Sequence, residues 1–358
     1  MSGQPKYMVL SEWIRERIRS GEFANGSKLL SENELAQRFS MSRQTVRQAV
    51  GTLVNEGFLT RKQGSGTYIS YQPKQRRDTR DIAVITTYLN SYIFPEIIQG
   101  IDQVLTDSGY HMRLGITYNR VKNEADVLSS LLESPVAGII VEPTKSALPN
   151  PNLFLYHRLV QMEIPIVFLN GYYSALDLPH VSADDYAAGK AAAQALLKAG
   201  HRKVFGIFKS DDIQGHFRFS GFINTLQDAG VLYDDSDVLW YVTEDLEQMF
   251  SQNHTPELLE RLKEYTAVVC YNDEIARKLY EWLQKNGLQI PQDLSIVGFD
   301  NSPLAEFGGA SITSVGFPFE TIGKTAASQM VNQLNFGRPM KSISFPPKLI
   351  VRNSIKKL

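Results

Sequence analysis

From residue 81 onward the chain repeats one pattern: an apolar run of four or five residues, a small polar cluster, then an amphipathic stretch. The apolar runs fall at 82–86, 112–116, 137–141, 166–169, 204–208, 267–270 and 295–299. The stretches between them carry helical spacing, as in Ile97, Ile98, Ile101, Val104 and Leu105, in Ala191, Ala195 and Leu196, and in Phe219, Phe222, Ile223 and Leu226. Strands that alternate with helices build a parallel sheet covered on both faces. With this many units the expectation is an α/β body made of two doubly wound lobes. Ligands of such sheets bind outside the carboxyl ends of the strands. Those ends hold Tyr88, Asn90 and Tyr92, then Glu142 and Lys145, Asn170 and Tyr172, Lys209 and Asp211, Asn272 and Asp273, and Asp300 and Asn301. Carboxylates, carboxamides and cations mixed with aromatic rings suit a polyhydroxylated ligand, because each hydroxyl wants a donor and an acceptor and the apolar face of a sugar packs on a ring.

The first 77 residues read differently. They hold 13 Lys and Arg against six acids, whereas the remainder holds 24 bases against 32 acids. A basic head on an acidic body points to a polyanion as the partner of the head. Leu10, Ile14 and Ile18 recur on one helical face, with Gly21 as the stop. Ser31 and Glu34 form a capping box ahead of a second short helix with Leu35 and Phe39 on its apolar side. Ser42 is placed to cap a third helix, whose inward stripe is Val46, Ala49, Val50 and Leu53, with Gly57 at its end. Arg43 and Arg47 share the opposite face, with Gln44 beside them and Thr45 next to them. An arginine fork matches guanine or a phosphate. Two β-like runs, 58–62 and 67–71, then flank Gln63-Gly64-Ser65-Gly66, a wing whose glycines let backbone approach a phosphate or a minor groove.

Residues 5–70 resemble the GntR family of winged-helix DNA-binding heads. The match runs through Pro5-Lys6-Tyr7, Leu30-Ser31-Glu32-Asn33-Glu34-Leu35-Ala36, Ser42-Arg43-Gln44-Thr45-Val46-Arg47-Gln48-Ala49, Leu53-Val54-Asn55-Glu56-Gly57-Phe58-Leu59 and Gly64-Ser65-Gly66-Thr67-Tyr68. The resemblance implies that Arg43, Thr45, Arg47, Gln63 and Gly64 contact double-stranded DNA, with Glu32 and Lys6 as secondary contacts; Gln44 and Gly66 join them from the residue reading. Leu30 stands where the family usually has proline.

Residues from about 81 to 355 resemble the effector-binding domain of LacI/GalR-type repressors, which share the periplasmic-binding-protein fold. The residues that carry this are Gly200-His201-Arg202-Lys203-Val204, Arg218 with Gly221-Phe222, Cys270-Tyr271-Asn272-Asp273-Glu274 with Ala276, and the run from Gly287 to Asp300. By the resemblance, Arg218, Asn272 and Asp300 fall on effector contacts, Glu142 and Asn170 on strand ends of the first lobe, and Phe317 near an aromatic that packs on the ligand. Tyr88 and Lys145 complete the expected effector set from their places after strands. The sequence departs from the family at Gly308-Gly309-Ala310, and that family's own DNA-reading head and hinge helix are replaced.

The expected organisation is therefore a winged helix-turn-helix over 1–71, a polar linker over 72–80 and an effector-binding, dimerising domain over 81–358. The combination is similar to arabinose-responsive repressors, and that similarity puts L-arabinose first among effectors. A homodimer would present two heads to a pseudo-palindromic operator. The competing readings are an activator responding to another pentose or hexose, a transport-type solute-binding protein and a fused pyridoxal enzyme. No cofactor is expected. Cys270 is the single cysteine, so neither a disulfide framework nor a thiolate metal site is available. Six histidines lack metal-ligand spacing, and neither a nucleophile elbow nor a phosphate-binding Gly-rich loop is present. The Asp184-Asp185 and Asp211-Asp212 pairs read as helix caps or ligand contacts. The first residues have no apolar run behind them, and no stretch reaches the ~18 apolar residues of a membrane span. The expectation is a cytoplasmic protein that is not an enzyme and touches no membrane.

Overall fold

In a computed structural model the described residues are 6–19, 22–55, 58–62, 65–70, 79–89, 93–250, 255–309 and 311–358. The chain divides into two compact units, Met1–Asp78 and Thr79–Leu358. Gly21, Gly57, Gln63, Gly64, Asn90, Tyr92 and residues 72–78 of the expected linker lie outside the described residues.

The first unit holds α1 (Lys6–Arg19), α2 (Glu32–Phe39), α3 (Arg43–Asn55) and an antiparallel hairpin of β1 (Leu59–Lys62) and β2 (Gly66–Ile69). Leu10, Ile14, Leu35, Val46, Val50, Leu53 and Ile69 form its buried core. The capping box is present: Ser31 Oγ accepts from the Glu34 amide and the Glu34 carboxylate from the Ser31 amide. Ser42 Oγ accepts from the Thr45 amide at 3.2 Å, which starts α3.

The second unit holds two six-stranded sheets. The first lobe contains β3 (Asp81–Thr86), β4 (His111–Ile116), β5 (Gly138–Val141), β6 (Ile166–Leu169), β7 (His180–Ala183) and β13 (Ile343–Phe345), in the order β13-β7-β6-β5-β3-β4 and all parallel. The second contains β8 (Val204–Lys209), β9 (Val238–Tyr241), β10 (Ala267–Cys270), β11 (Ser295–Asp300), β12 (Thr313–Gly316) and β14 (Lys348–Ile350), in the order β14-β12-β11-β10-β8-β9. Only β14 runs antiparallel, at an edge. Helices α4 (Phe94–Asp107) and α11 (Phe319–Phe336) cover one face of the first sheet, and α5 (Val121–Glu133) and α6 (Leu153–Gln161) the other. Helices α7 (Asp185–Lys198) and α8 (Ile213–Asp228) cover one face of the second, α9 (Thr255–Leu262) and α10 (Asp273–Lys285) the other. Burial on both faces explains why β5, β6 and β10 are apolar without alternation.

The seven expected strands are present. Five more are present: β9, an apolar Val-Leu-Trp-Tyr run at a sheet edge, and β7, β12, β13 and β14, which mix polar with apolar residues beside the lobe crossings. The chain passes between lobes three times: from β7 into α7, from β12 into α11 and from β13 into β14. The lobes are therefore joined by three short strands of backbone, the geometry of a hinge.

Each lobe contains a helix pair that meets backbone to backbone. A methyl group at Gly100 would strike the Glu320 carbonyl, and one at Gly323 the Ile97 carbonyl, so α4 and α11 interlock through reciprocal glycines. Gly189 faces the Arg218 carbonyl and Gly221 the Tyr186 carbonyl in the same way, which interlocks α7 and α8. Overpacking a close contact costs about 1–3 kcal/mol. Gly221→Ala is expected to lower the melting temperature of the body by roughly 2–10 °C in scanning calorimetry. Gly51→Ala, on α3 with open space around it, should leave the melt unchanged or raise it.

Candidate functional site

In the head, Arg43, Gln44 and Arg47 stand exposed on one side of α3, while Val46, Ala49 and Val50 are buried on the other. Thr45 is half-buried and shares a 2.8 Å hydrogen bond with the Ser42 hydroxyl. Glu32, the first residue of α2, accepts from Arg47 Nε at 3.2 Å and Nη2 at 3.1 Å, and lies 3.7 Å from Arg61 Nη2 on the hairpin. One carboxylate thus ties α2, α3 and the wing together. Exposed ion pairs add little stability, so its effect is to orient Arg47. Lys6 is exposed at the start of α1. Gly66 has φ +121°, and a side chain there would run into Lys28. Glycine is needed here for the turn of the hairpin.

In the body, a cavity of about 210 Å³ lies between the lobes. Strand ends and helix starts supply its walls, because only there do polar side chains leave the double-buried sheets. The first lobe contributes Thr87, Tyr88, Phe94, Glu142, Asn170 and Phe319; the second contributes Asp185, Lys209, Asp212, Gln214, Arg218, Tyr241, Thr243, Tyr271, Asn272, Glu274 and Asp300. Of the expected effector set, Tyr88, Glu142, Asn170, Arg218, Asn272 and Asp300 line it together.

Arg218 is the fixed point. Its Nε donates to Asp185 Oδ1 at 2.8 Å, Nη1 to the Tyr271 carbonyl at 2.7 Å, and Nη2 to Asp300 Oδ1 at 2.9 Å. Its guanidinium carbon also lies 4.9 Å from the Phe299 ring centre and 5.2 Å from that of Tyr271. Three of five N–H groups are engaged in these bonds. Burial pushes the Asp185 carboxyl up to about 6, even with Arg218 drawing it down. Asn170 and Asp300 have φ of 60° and 94°, left-handed backbone that turns each side chain out of its strand line.

Glu142 accepts from the Thr87 amide at 2.9 Å, the Thr87 hydroxyl at 2.5 Å and Asn170 Nδ2 at 3.0 Å. Burial raises its pKa against the pull of those three donors. Asn170 Oδ1 and Gln214 Oε1 are buried with no hydrogen-bond partner among the described residues. Lys209 donates to Asp212 Oδ2 at 2.6 Å. Burial would lower its pKa, but Asp212 and Asp211 together raise it, so it stays charged. Five carboxylates line the cavity against two cations.

Two expected contacts do not line it. Lys145 sits at the rim and pairs with Glu244 across the lobes at 2.8 Å. Phe317 packs into the apolar cores of both lobes at the β12–α11 crossover, and Phe319, 5.9 Å away, is the ring that reaches the cavity. Pro318 between them redirects the chain at that crossover. Sequence reasoning passed over Gln214 and left Asp185 and Asp212 open between helix caps and ligand contacts; all three lie at the starts of α7 and α8 and line the cavity. The usable signal was position: first helical turns following strands open on the same crevice. Asp184 caps α7, accepting from the Ala187 amide at 2.9 Å. Asn272 both caps α10, through the Ile275 amide at 2.9 Å, and lines the cavity. His201 is buried and bridges Thr266 and the Lys356 carbonyl, a structural post. Among the described residues no cluster of metal-ligating side chains occurs, and no helix is long and apolar enough to cross a membrane.

Comparison with known proteins follows this division. Residues 6–69 match the model of bacterial regulatory proteins of the gntR family, and residues 193–355 that of a periplasmic binding protein-like domain. The chain is 39% identical to an arabinose metabolism transcriptional repressor of Geobacillus stearothermophilus, covering 99% of this chain and 98% of that protein. It is 35% identical to one of Halalkalibacterium halodurans, covering 98% and 96%. Among solved structures, a cellobiose complex of the transcriptional regulator CelR superimposes with a TM-score of 0.66 at 23% identity, covering 87% of this chain and 90% of that one. That likeness establishes the fold alone. A DNA-reading head, a sugar-type cleft and whole-length relatives that are repressors, not enzymes, agree, and the chain belongs to the family of sugar-responsive transcriptional repressors that join a gntR-type winged helix to a periplasmic-binding-protein-like body.

Proposed function

We propose that L-arabinose binds in the interlobe cavity and releases this repressor from its operator. The observation that carries the reading is the convergence on one cavity, from both lobes, of the anchored donor Arg218, the carboxylates Glu142 and Asp300 and the carboxamides Asn170 and Asn272. The hydroxyls of a sugar supply donors and acceptors together, which this mixed lining of donors and acceptors matches. The cavity, at about 210 Å³, is below the roughly 300–1,000 Å³ of drug-sized sites, in keeping with one monosaccharide. Its acidic lining repels a phosphate, which favours a free sugar. The naming of both whole-length relatives as arabinose metabolism repressors favours a pentose of that kind.

On the DNA side, Arg43, Gln44 and Arg47 read the major groove. Lys6 and Thr45 hold phosphates, and the wing residues Gln63, Gly64 and Gly66 approach the backbone or minor groove. Glu32 acts through Arg47 as a positioning group. The working unit is a cytoplasmic homodimer with one head on each half-site. Sugar binding and operator binding are coupled by linkage, on the order of 1–3 kcal/mol, and each weakens the other by the same factor.

L-Arabinose should raise the melting temperature of the full chain by mass action and dissociate a labelled operator in fluorescence anisotropy. An operator complex indifferent to the sugar would sink the reading. Asn170→Ala is expected to lose the thermal shift while still binding operator. Arg43→Ala should weaken specific operator binding at least about tenfold with sugar affinity intact. Glu32→Gln should narrow the ratio of specific to non-specific binding, because Arg47 loses its fixed orientation while the head gains net positive charge.

A further inference from the structure

We propose that a polar latch built on Lys145 and Asn119 holds the two lobes together at the mouth of the cleft and sets effector affinity without touching the effector. Lys145 Nζ, from the first lobe, donates to both carboxylate oxygens of Glu244 at 2.8 Å and lies 3.5 Å from Asp211 Oδ2, both on the second lobe. Asn119 Nδ2 donates to Thr243 Oγ1 at 2.7 Å and reaches Asp212 Oδ1 at 3.3 Å. Its Oδ1 accepts from the Lys145 amide at 2.8 Å, which joins the two into one device. The Ile213 amide donates to Ser146 Oγ at 2.9 Å, a third link across the lobes.

Several features make this a built contact. Asn119 is fully buried although it is a loop residue, and Asp211 is fully buried too. Asn119 and Lys145 both adopt left-handed backbone, with φ of 52° and 47°, which aims their side chains across the gap. The Lys145 loop is braced from behind: the Tyr173 hydroxyl bonds the Thr144 carbonyl, and the buried Glu124 carboxylate gathers Asn150, Asn152, Tyr156 and Tyr173. Neither Asn119 nor Lys145 lines the cavity.

The consequence follows from the hinge. A ligand that needs groups from both lobes binds the closed form, and its apparent dissociation constant is the intrinsic one divided by the closed fraction. The latch contacts form only when the lobes meet, so they raise that fraction. The Glu244 side chain is 61% exposed, so salt screens its pair with Lys145. Binding of an uncharged sugar then becomes salt-dependent, which contact with a neutral ligand alone does not explain.

This proposal rests on the reading of the cleft as an L-arabinose site, and the test separates the two. Calorimetric titration of the full chain with L-arabinose at about 50 and about 500 mM KCl should show weaker binding at high salt. Lys145→Met should raise Kd about fivefold or more at low salt and flatten the salt response, and Lys145→Arg should restore most of both. Glu244→Gln, at an exposed site, should reproduce the Lys145→Met result. Wild-type affinity and salt response in Lys145→Met, or in Glu244→Gln, would overturn the latch. If the wild-type chain binds no L-arabinose, the sugar reading fails on its own. The latch is then judged by spin-label distances between cysteines at the exposed positions Lys122 and Glu247. Lengthening or broadening in Lys145→Met supports it, and an unchanged distribution overturns it.

Discussion

A guanidinium buried to 5% exposure must be ringed by acceptors, because an unpaired charge in that setting costs several kcal/mol. Arg218 meets the demand with one group from the start of α7, one from the end of β11 and a carbonyl beyond β10. The arrangement holds only if α7 and α8 approach closely enough for Asp185 to reach it. The reciprocal Gly189 and Gly221 contacts supply that approach. Packing of two helices and the chemistry of the cavity are thus one constraint. The remaining guanidinium hydrogens are presented in a direction set by the whole lobe, which is how a flexible side chain becomes a rigid donor.

The same economy appears in the head on a smaller scale. Glu32 sits among Arg47 and Arg61 as Asp185 and Asp300 sit around Arg218. The difference is solvent. The head's pairs are exposed, so they steer side chains without adding much stability, and they leave Arg43 and Gln44 open to a partner. The acidic lining of the cavity has the opposite sign to the head's surplus of bases. A polyanion therefore has no favourable path into the cleft.

Much of this could be read before any coordinates. Spacing of Val46, Ala49, Val50 and Leu53 located the buried side of α3 and so its exposed one. The Ser31–Glu34 box located the start of α2. Doubly buried strands announced themselves as apolar runs, and the residues just beyond them included Glu142, Asn170, Asn272 and Asp300, all of which reach the cavity. The reading failed where position along the chain does not reveal side-chain direction. Lys145 follows β5 as Glu142 does, but three residues of loop and a left-handed turn carry it to the rim. Phe317 and Phe319 are two apart, and only the bend at the crossover decides which ring faces the ligand.

The sequence by itself determined the element types, the division into a basic reader and an α/β body, and the polar character of the strand ends. Local hydrogen bonding, helical period and burial of apolar runs act over a few residues, so they leave a legible pattern. Only the tertiary structure decided which strands share a sheet, since the chain changes lobe three times. It alone brought Asn170 and Gln214 to one cavity, and Lys145 to Glu244, 99 residues away. Such pairings depend on the closure of two separately packed lobes, and no spacing along the chain encodes that distance.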